Sequence, residues 1–335
     1  MTQTLARPVP VLPADAPIDQ WLAARRHGIG GSDVAAILGV SKYDGPVKVY
    51  YSKHNLLPDE DNAAMEWGRR LESAVRQKFA DEHPEFHVAE GPGLVRHPER
   101  PWQLATIDGL AAECPGGDPL ALVEVKTGRA NTDEWGDELT DEVPLPYVCQ
   151  ITWYLDVYGL RTGYLAVLLD GRDYREYLIE YDEVLAAKLR AHCDAFWQRH
   201  VLAGVVPEPD GLESTADALA AQHNPVPKSK GELDPNVVGW AQIYGNAHRD
   251  EQAAQARKQE AGNHLRAAFL AAGSPNYGFV GERKIATFSK SKGGEVEEFN
   301  EALFAEENPA IYAKYLIKRQ VEPTRRLLVA KEFTS

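Results

Sequence analysis

The chain has 335 residues, 44% of them hydrophobic and 26% charged, with a formal net charge of −14; that length predicts two domains, or one with a large extension. Its longest apolar stretches, such as Leu165–Leu169, are far too short to span a bilayer, and Cys114, Cys149 and Cys193 are too widely spaced for a zinc site, a disulfide framework or a four-cysteine iron–sulfur cluster, so a reducing cytoplasm is the expected setting. The charge argues against a broadly basic nucleic-acid binder, yet leaves room for a local basic channel or for a carboxylate site that needs divalent cations before it attracts phosphate.

Prolines at 8, 10, 13 and 17 and the lack of an apolar core segment make residues 1–17 a flexible N-terminal tail rather than a secretory signal. A short helix is expected from Ile18. The tight turn Gly28-Ile29-Gly30-Gly31 follows, and then a short apolar helix over Val34–Leu38, with Ser32 as its cap. Residues 65–83 predict a helix whose stripe is Trp67, Leu71, Val75 and Phe79. Strands are expected at Phe86–Glu90, Gly93–His97, Trp102–Ala111 and Leu120–Thr127, the last buried in a sheet. Pro144 and Pro146 introduce a helix over Tyr147–Tyr158 that Gly159 stops. Asp170-Gly171 marks a hairpin between Tyr164–Leu169 and Tyr174–Tyr181, and Asp182 caps a helix ending near Gly204. Proline-rich residues 205–230 read as a linker. Residues 231–335 read as an accessory unit: a long helix over about 235–272, a strand at Arg283–Ser289, a Lys/Gly loop, two short helices and a last strand near Arg326–Ala330. Helices and strands alternate through 18–204, which predicts a mixed α/β domain.

The sharpest chemical signal is Asp108, then fifteen residues, then Glu124-Val125-Lys126. Residues two apart on a strand share a face, so Glu124 and Lys126 project together. Asp108 ends the preceding strand at a turn marked by Gly109. If those strands pair, the three polar groups converge at one sheet edge. Phosphodiester hydrolysis needs such a set: carboxylates that hold Mg2+, and a lysine that orients the attacking water or stabilises developing negative charge. The Val125 carbonyl would add a ligand. The plainer reading is a same-face ion pair on a solvated strand. Against it stands the context, an apolar buried-type strand where a charged pair is unusual without a role.

Three further groups have both a functional and a plainer reading. Glu72 flanks the stripe of the 65–83 helix, either as a metal ligand or as an ion-pair partner of Arg69 or Arg76 one turn away. Tyr147, Gln150, Ile151 and Tyr154 share one helix face, where Gln150 would position a water or phosphate, or is simply a polar residue at a helix boundary. Arg26 and Ser32 bracket the glycine turn, which suits close approach of a phosphate or merely a capped helix.

Four motifs in order resemble the phage-type recombination exonucleases, the family of lambda exonuclease and the YqaJ-like viral recombinases, over about Arg25 to Tyr181. They are Arg26-His27-Gly28-Ile29-Gly30-Gly31-Ser32-Asp33-Val34-Ala35-Ala36-Ile37-Leu38-Gly39; Trp67-Gly68-Arg69-Arg70-Leu71-Glu72; Thr106-Ile107-Asp108-Gly109-Leu110 with Glu124-Val125-Lys126; and Tyr147-Val148-Cys149-Gln150 with Leu155 and Tyr158-Gly159 beyond. The chain departs from the family at Ile107, where proline is common, and at Thr127-Gly128, where Cys-Pro is frequent. Neither departure removes a ligand.

The resemblance implies a restriction-endonuclease-like PD-(D/E)xK core with a C-terminal helical and α/β extension. It implies metal binding by Asp108 and Glu124 with Glu72, nucleophile activation by Lys126, support from Tyr147 and Gln150, and DNA phosphate contact by Arg26 and Ser32. The expected protein is a Mg2+-dependent double-strand DNA 5′→3′ exonuclease, with Mn2+ as the alternative cation. Its expected partners are DNA duplex ends, a single-strand annealing protein and further copies of itself, and no membrane. An endonuclease on the same fold and a nuclease-dead DNA-binding scaffold are the alternatives. The expected domains are the tail 1–17, a nuclease domain 18–204, the linker 205–230 and the accessory domain 231–335.

Overall fold

The structure, a computed structural model, describes residues 7–58, 63–130, 135–291, 293, 298–317, 325 and 327–334. The chain divides into two compact units, Met1–Pro225 and Val226–Ser335.

The first unit runs β1 (Val9–Leu12), α1 (Ile18–Arg25), α2 (Gly31–Ile37), α3 (Pro46–Lys53), α4 (Ala63–Glu82), β2 (His87–Glu90), β3 (Leu94–Arg96), β4 (Leu104–Thr106), β5 (Gly109–Ala112), β6 (Ala121–Gly128), α5 (Leu145–Tyr158), β7 (Thr162–Leu169), β8 (Asp173–Glu180), α6 (Glu183–Phe196), a π-helical turn over Trp197–Leu202, and α7 (Glu213–Gln222). Two sheets form: a five-stranded one ordered β2-β5-β6-β7-β8 and a three-stranded one ordered β1-β3-β4. In the large sheet only β6 and β7 are parallel, and α5 makes the crossover between them. The others pair antiparallel. This is the mixed central sheet flanked by helices that the restriction-endonuclease-like expectation required.

Strand alternation decides which side of the sheet each residue of β6 meets. Ala121, Val123 and Val125 pack with Val75 and Phe79 of α4. Leu122 turns the other way, into the larger core with Ile151 and Leu155 of α5 and Leu165 and Val167 of β7. Glu124 and Lys126 share the parity of Leu122 and so lie on the α5 side. The β7–β8 hairpin turns through Asp170 and Gly171, both at positive φ, as the Asp-Gly signal predicted. Asp182 caps α6 by accepting the N–H groups of Val184 and Leu185.

Several elements differ from expectation. The tail is not loose throughout: Val9–Leu12 pairs with β3, because strand partners satisfy the backbone groups its prolines leave. The run Trp102–Ala111 is two strands in two sheets, broken at Ile107-Asp108. The linker 205–230 contains α7, whose Thr215 and Ala218 are buried. Trp67 heads the stripe of α4 on paper but is 62% exposed, since only Val75 and Phe79 reach the sheet.

The second unit holds α8 (Val237–Ala271), the hairpin β9 (Tyr277–Val280) and β10 (Arg283–Thr287), α9 (Glu301–Glu307), α10 (Pro309–Tyr315) and α11 (Lys331–Thr334). α8 is continuous, with its polar middle in solvent. The expected last strand is not formed over 327–330, and Arg326 lies outside the described residues, as does part of the Lys/Gly loop. Among the described residues no helix is long and apolar enough to cross a membrane.

Candidate active site

The break between β4 and β5 is what builds the site. The β5–β6 ladder runs to Gly109 opposite Val123 and goes no further. The next inward-facing N–H of β6, that of Val125, has lost its strand partner. The Asp108 carboxylate takes it, Oδ2 to N at 2.7 Å. The Asp108 carbonyl accepts from Gly91 N at 3.1 Å and from Arg76 Nη1 at 2.9 Å. Both ends of this residue are therefore fixed by neighbouring elements.

On the α5 side, Lys126 Nζ donates to Glu124 Oε1 at 2.5 Å, and Gln150 Nε2 donates to the same oxygen at 2.7 Å. Gln150 also donates to the Tyr154 hydroxyl at 3.1 Å. Glu124 is 2% exposed, and its other oxygen, Oε2, is buried with no hydrogen-bond partner in the described structure. Burial, and then the Asp108 carboxylate, push the Glu124 pKa up to about 8 against the pull of Lys126. Burial raises the Asp108 pKa too, opposed by Lys126, the Val125 N–H and Arg76. Burial opposes the charge of Lys126, yet Glu124 and Asp108 outweigh it and raise its pKa. Burial and Glu124 hold the Tyr154 phenol well above its ordinary pKa, so it stays protonated.

Glu72 reaches the cluster from α4. Both of its readings have physical content. It pairs with Arg76 at 2.8 Å, and its pKa is raised by burial and by the Asp108 carboxylate. Arg76 thus links Glu72 to the Asp108 backbone, a bridging role that the sequence reading gave it no reason to hold. Tyr147 stacks against Trp135 at 5.7 Å and lies 5.7 Å under the Lys126 ammonium.

An orphaned carboxylate oxygen beside a second carboxylate is a fit for a hard divalent cation, which would supply the missing partner. The fit rests on Asp108 and Glu124. Among the described residues no three His, Cys, Asp or Glu side chains are gathered as a ready ligand set, so Glu72, held by Arg76, does not close a three-carboxylate cage here.

The glycine turn lies against this cluster. A side chain at Gly31 would run into Tyr154 at 2.5 Å and Gln150 at 2.9 Å, so only glycine permits the approach of α2 to α5. Ser32 does not cap α2. The cap position is Gly30, whose N–H donates to Asp33 Oδ2 at 2.8 Å, because a residue at the third helical position reaches back to that donor. Ser32 is exposed and accepts from Arg25 at 2.7 Å. Arg25 lies 4.7 Å from the Trp21 ring centroid. Sequence reasoning missed the anchor beneath: Lys53, 4% exposed at its side chain, bonds Asp33 at 2.6 Å and the Arg25 carbonyl at 3.0 Å. Its only trace was a lysine one helical turn beyond the buried Val49 and Tyr50.

A model of the YqaJ-like viral recombinase domain matches residues 20–164, a span that contains every site residue named above. The uncharacterized protein YqaJ of Bacillus subtilis (strain 168) is 31% identical over 270 residues, covering 78% of this chain and 81% of that protein. Among solved structures, an alkaline exonuclease from Laribacter hongkongensis aligns at 22% identity over 55% of this chain and 93% of its own, with a TM-score of 0.44. A phage-related exonuclease from Haemophilus somnus 129PT aligns at 11% identity over 53% of this chain and 96% of its own, with a TM-score of 0.37.

Proposed function

This chain belongs to the YqaJ-like viral recombinase family, and from that premise we propose that it is a Mg2+-dependent nuclease that degrades double-stranded DNA from its ends, 5′→3′, in phage-type recombination. The observation that carries the reading is Glu124: a buried carboxylate with one oxygen held by Lys126 and Gln150 and the other without a partner, within electrostatic reach of Asp108. Asp108, Glu124 and the Val125 carbonyl would hold the cation, with Glu72 joining once it leaves Arg76. Held there, Mg2+ or Mn2+ would supply Lewis-acid chemistry toward the phosphate and the attacking water.

The chain's own groups do the rest. Lys126 keeps its charge and stabilises negative charge growing on phosphate oxygen. Gln150 fixes the Glu124 oxygen that faces it, so the carboxylate does not rotate away from Asp108. Tyr147 shields the ammonium on one side. Arg26 and Ser32 would meet the phosphate of the incoming end. The single strand left behind would be the substrate of an annealing protein.

The test uses full-length protein, end-labelled linear duplex and covalently closed circular DNA, with Mg2+ or with chelator. The reading expects the linear duplex to be lost from its 5′ ends only when Mg2+ is present, and the circle to survive. Cutting of the circle would replace it with an endonuclease on the same fold. No cleavage of either would leave a DNA-binding scaffold.

A further inference from the structure

Gly68 lies inside α4, where a glycine weakens the helix relative to alanine. Three ordinary reasons for a helical glycine fail here. Gly68 is not at positive φ. The helix runs unbroken from Ala63 to Glu82, so it marks no stop. Apart from its chain neighbours and the backbone of its own helix, no described atom lies within 4 Å of where its Cβ would stand, so no other element packs into the gap. Gly31 and Gly109 differ: there Tyr154, and the Arg76 side chain at 3.1 Å, occupy the space.

What singles out the gap is its position. Gly68, Glu72 and Arg76 are spaced by four and share one helix face. Glu72 lies within electrostatic reach of Asp108, and Arg76 bonds the Asp108 backbone. A side chain at 68 would therefore stand one turn from the carboxylates. The adjoining Trp67 is left 62% exposed, as suits a ring that stacks on a base rather than on the core.

We propose that Gly68 is the point where the sugar-phosphate backbone of the DNA strand crosses α4 in direct contact, and that glycine is required there to let it approach Glu72. The inference rests on the nuclease reading for its ligand, and its test is made on binding so that the two are separable.

Full-length wild type, Gly68→Ala and Gly68→Leu are compared by thermal melting and by fluorescence anisotropy on a labelled 5′-phosphorylated duplex, with Ca2+ in place of Mg2+. Alanine should raise the Tm, since it is the better helix former, and still weaken binding by about threefold. Leucine should weaken it by about tenfold or more. A variant more stable than wild type and poorer at binding has no explanation in lost folding, so the alanine result decides the matter if leucine lowers the Tm. Wild-type affinity in both variants overturns the inference. Wild type that binds DNA but never cuts it with Mg2+ removes the nuclease reading and leaves the binding comparison to support or overturn the contact. Wild type that binds no DNA overturns both.

Discussion

The Asp108 carboxylate accepts the backbone N–H of Val125 at 2.7 Å, which sets it between Glu124 and Lys126 through the main chain and not through either side chain. Substitutions at 124 and 126 can therefore remove chemistry without dislodging Asp108. Glu124→Ala or Lys126→Ala should lower cleavage of linear duplex by about 10²–10³ or more, while circular dichroism and gel filtration stay those of wild type. Cleavage by Glu124→Ala at the wild-type rate would reassign the site.

Glu72 and Arg76 should separate. Arg76 bonds both the Glu72 carboxylate and the Asp108 carbonyl. Arg76→Ala should cost about 1.5 kcal/mol or more, as expected where a charge-assisted bond to a buried acceptor is lost. Glu72→Gln loses only a part-exposed pair, worth about 0.3–0.5 kcal/mol, but it should slow cleavage and raise the Mg2+ needed for half-maximal rate. Equal small stability losses with normal kinetics in both would make Glu72 a structural partner alone.

The Asp33–Lys53 pair gives a stability prediction. Both charges are largely out of water, with Lys53 donating at 2.6 Å. Burial alone would raise the Asp33 pKa, yet Lys53 and Arg25 outweigh it and lower it. Lys53→Met leaves that buried carboxylate only the more distant Arg25 and the Gly30 N–H, and should destabilise by about 3 kcal/mol. Adding Asp33→Asn should recover part of the loss, and urea unfolding of the three variants measures the coupling. Additive losses would mean the pair is not a unit.

His83 gives the pH dependence. Burial works to lower its pKa, but bonds to Glu176 at 2.7 Å and Glu85 at 2.9 Å raise it above 6.5 overall. The folded state then holds the proton more tightly than the unfolded chain. The stability gained is full below about pH 6.5 and is lost as the pH rises through the folded-state value. The Tm gap between wild type and His83→Gln should narrow steadily from pH 6 upward. A gap that is constant with pH would mean the histidine acts by packing against Phe79 and Tyr164 alone.

End recognition is tested at Arg26. If this turn meets a terminal phosphate, Arg26→Ala should slow digestion of 5′-phosphorylated duplex far more than of 5′-hydroxyl duplex, and Ser32→Ala should do so to a lesser degree. Since Ser32 caps nothing, its replacement should leave the unfolding free energy within about 0.5 kcal/mol of wild type. Equal rates on both duplexes, in wild type and Arg26→Ala alike, would remove the phosphate contact.

The sequence by itself determined what lies along one element. Period two on β6 put Glu124 and Lys126 on a common face, and period four on α5 put Gln150 and Tyr154 together; both pairs bond as the spacing requires or meet through a shared partner. Local chemistry likewise set the Asp170-Gly171 turn and the Asp182 cap. Tertiary structure decided what crosses elements. That Trp102–Ala111 breaks at Asp108 follows from two sheets competing for one run of residues, which no local pattern reports. That Arg25 meets Ser32, and that Lys53 lies beneath Asp33, depends on how α1, α2 and α3 pack. The orphaned Glu124 oxygen depends on burial from both sides of β6 at once. Spacing fixes direction along a strand or helix, whereas desolvation and pairing between distant residues exist only once the layers have closed.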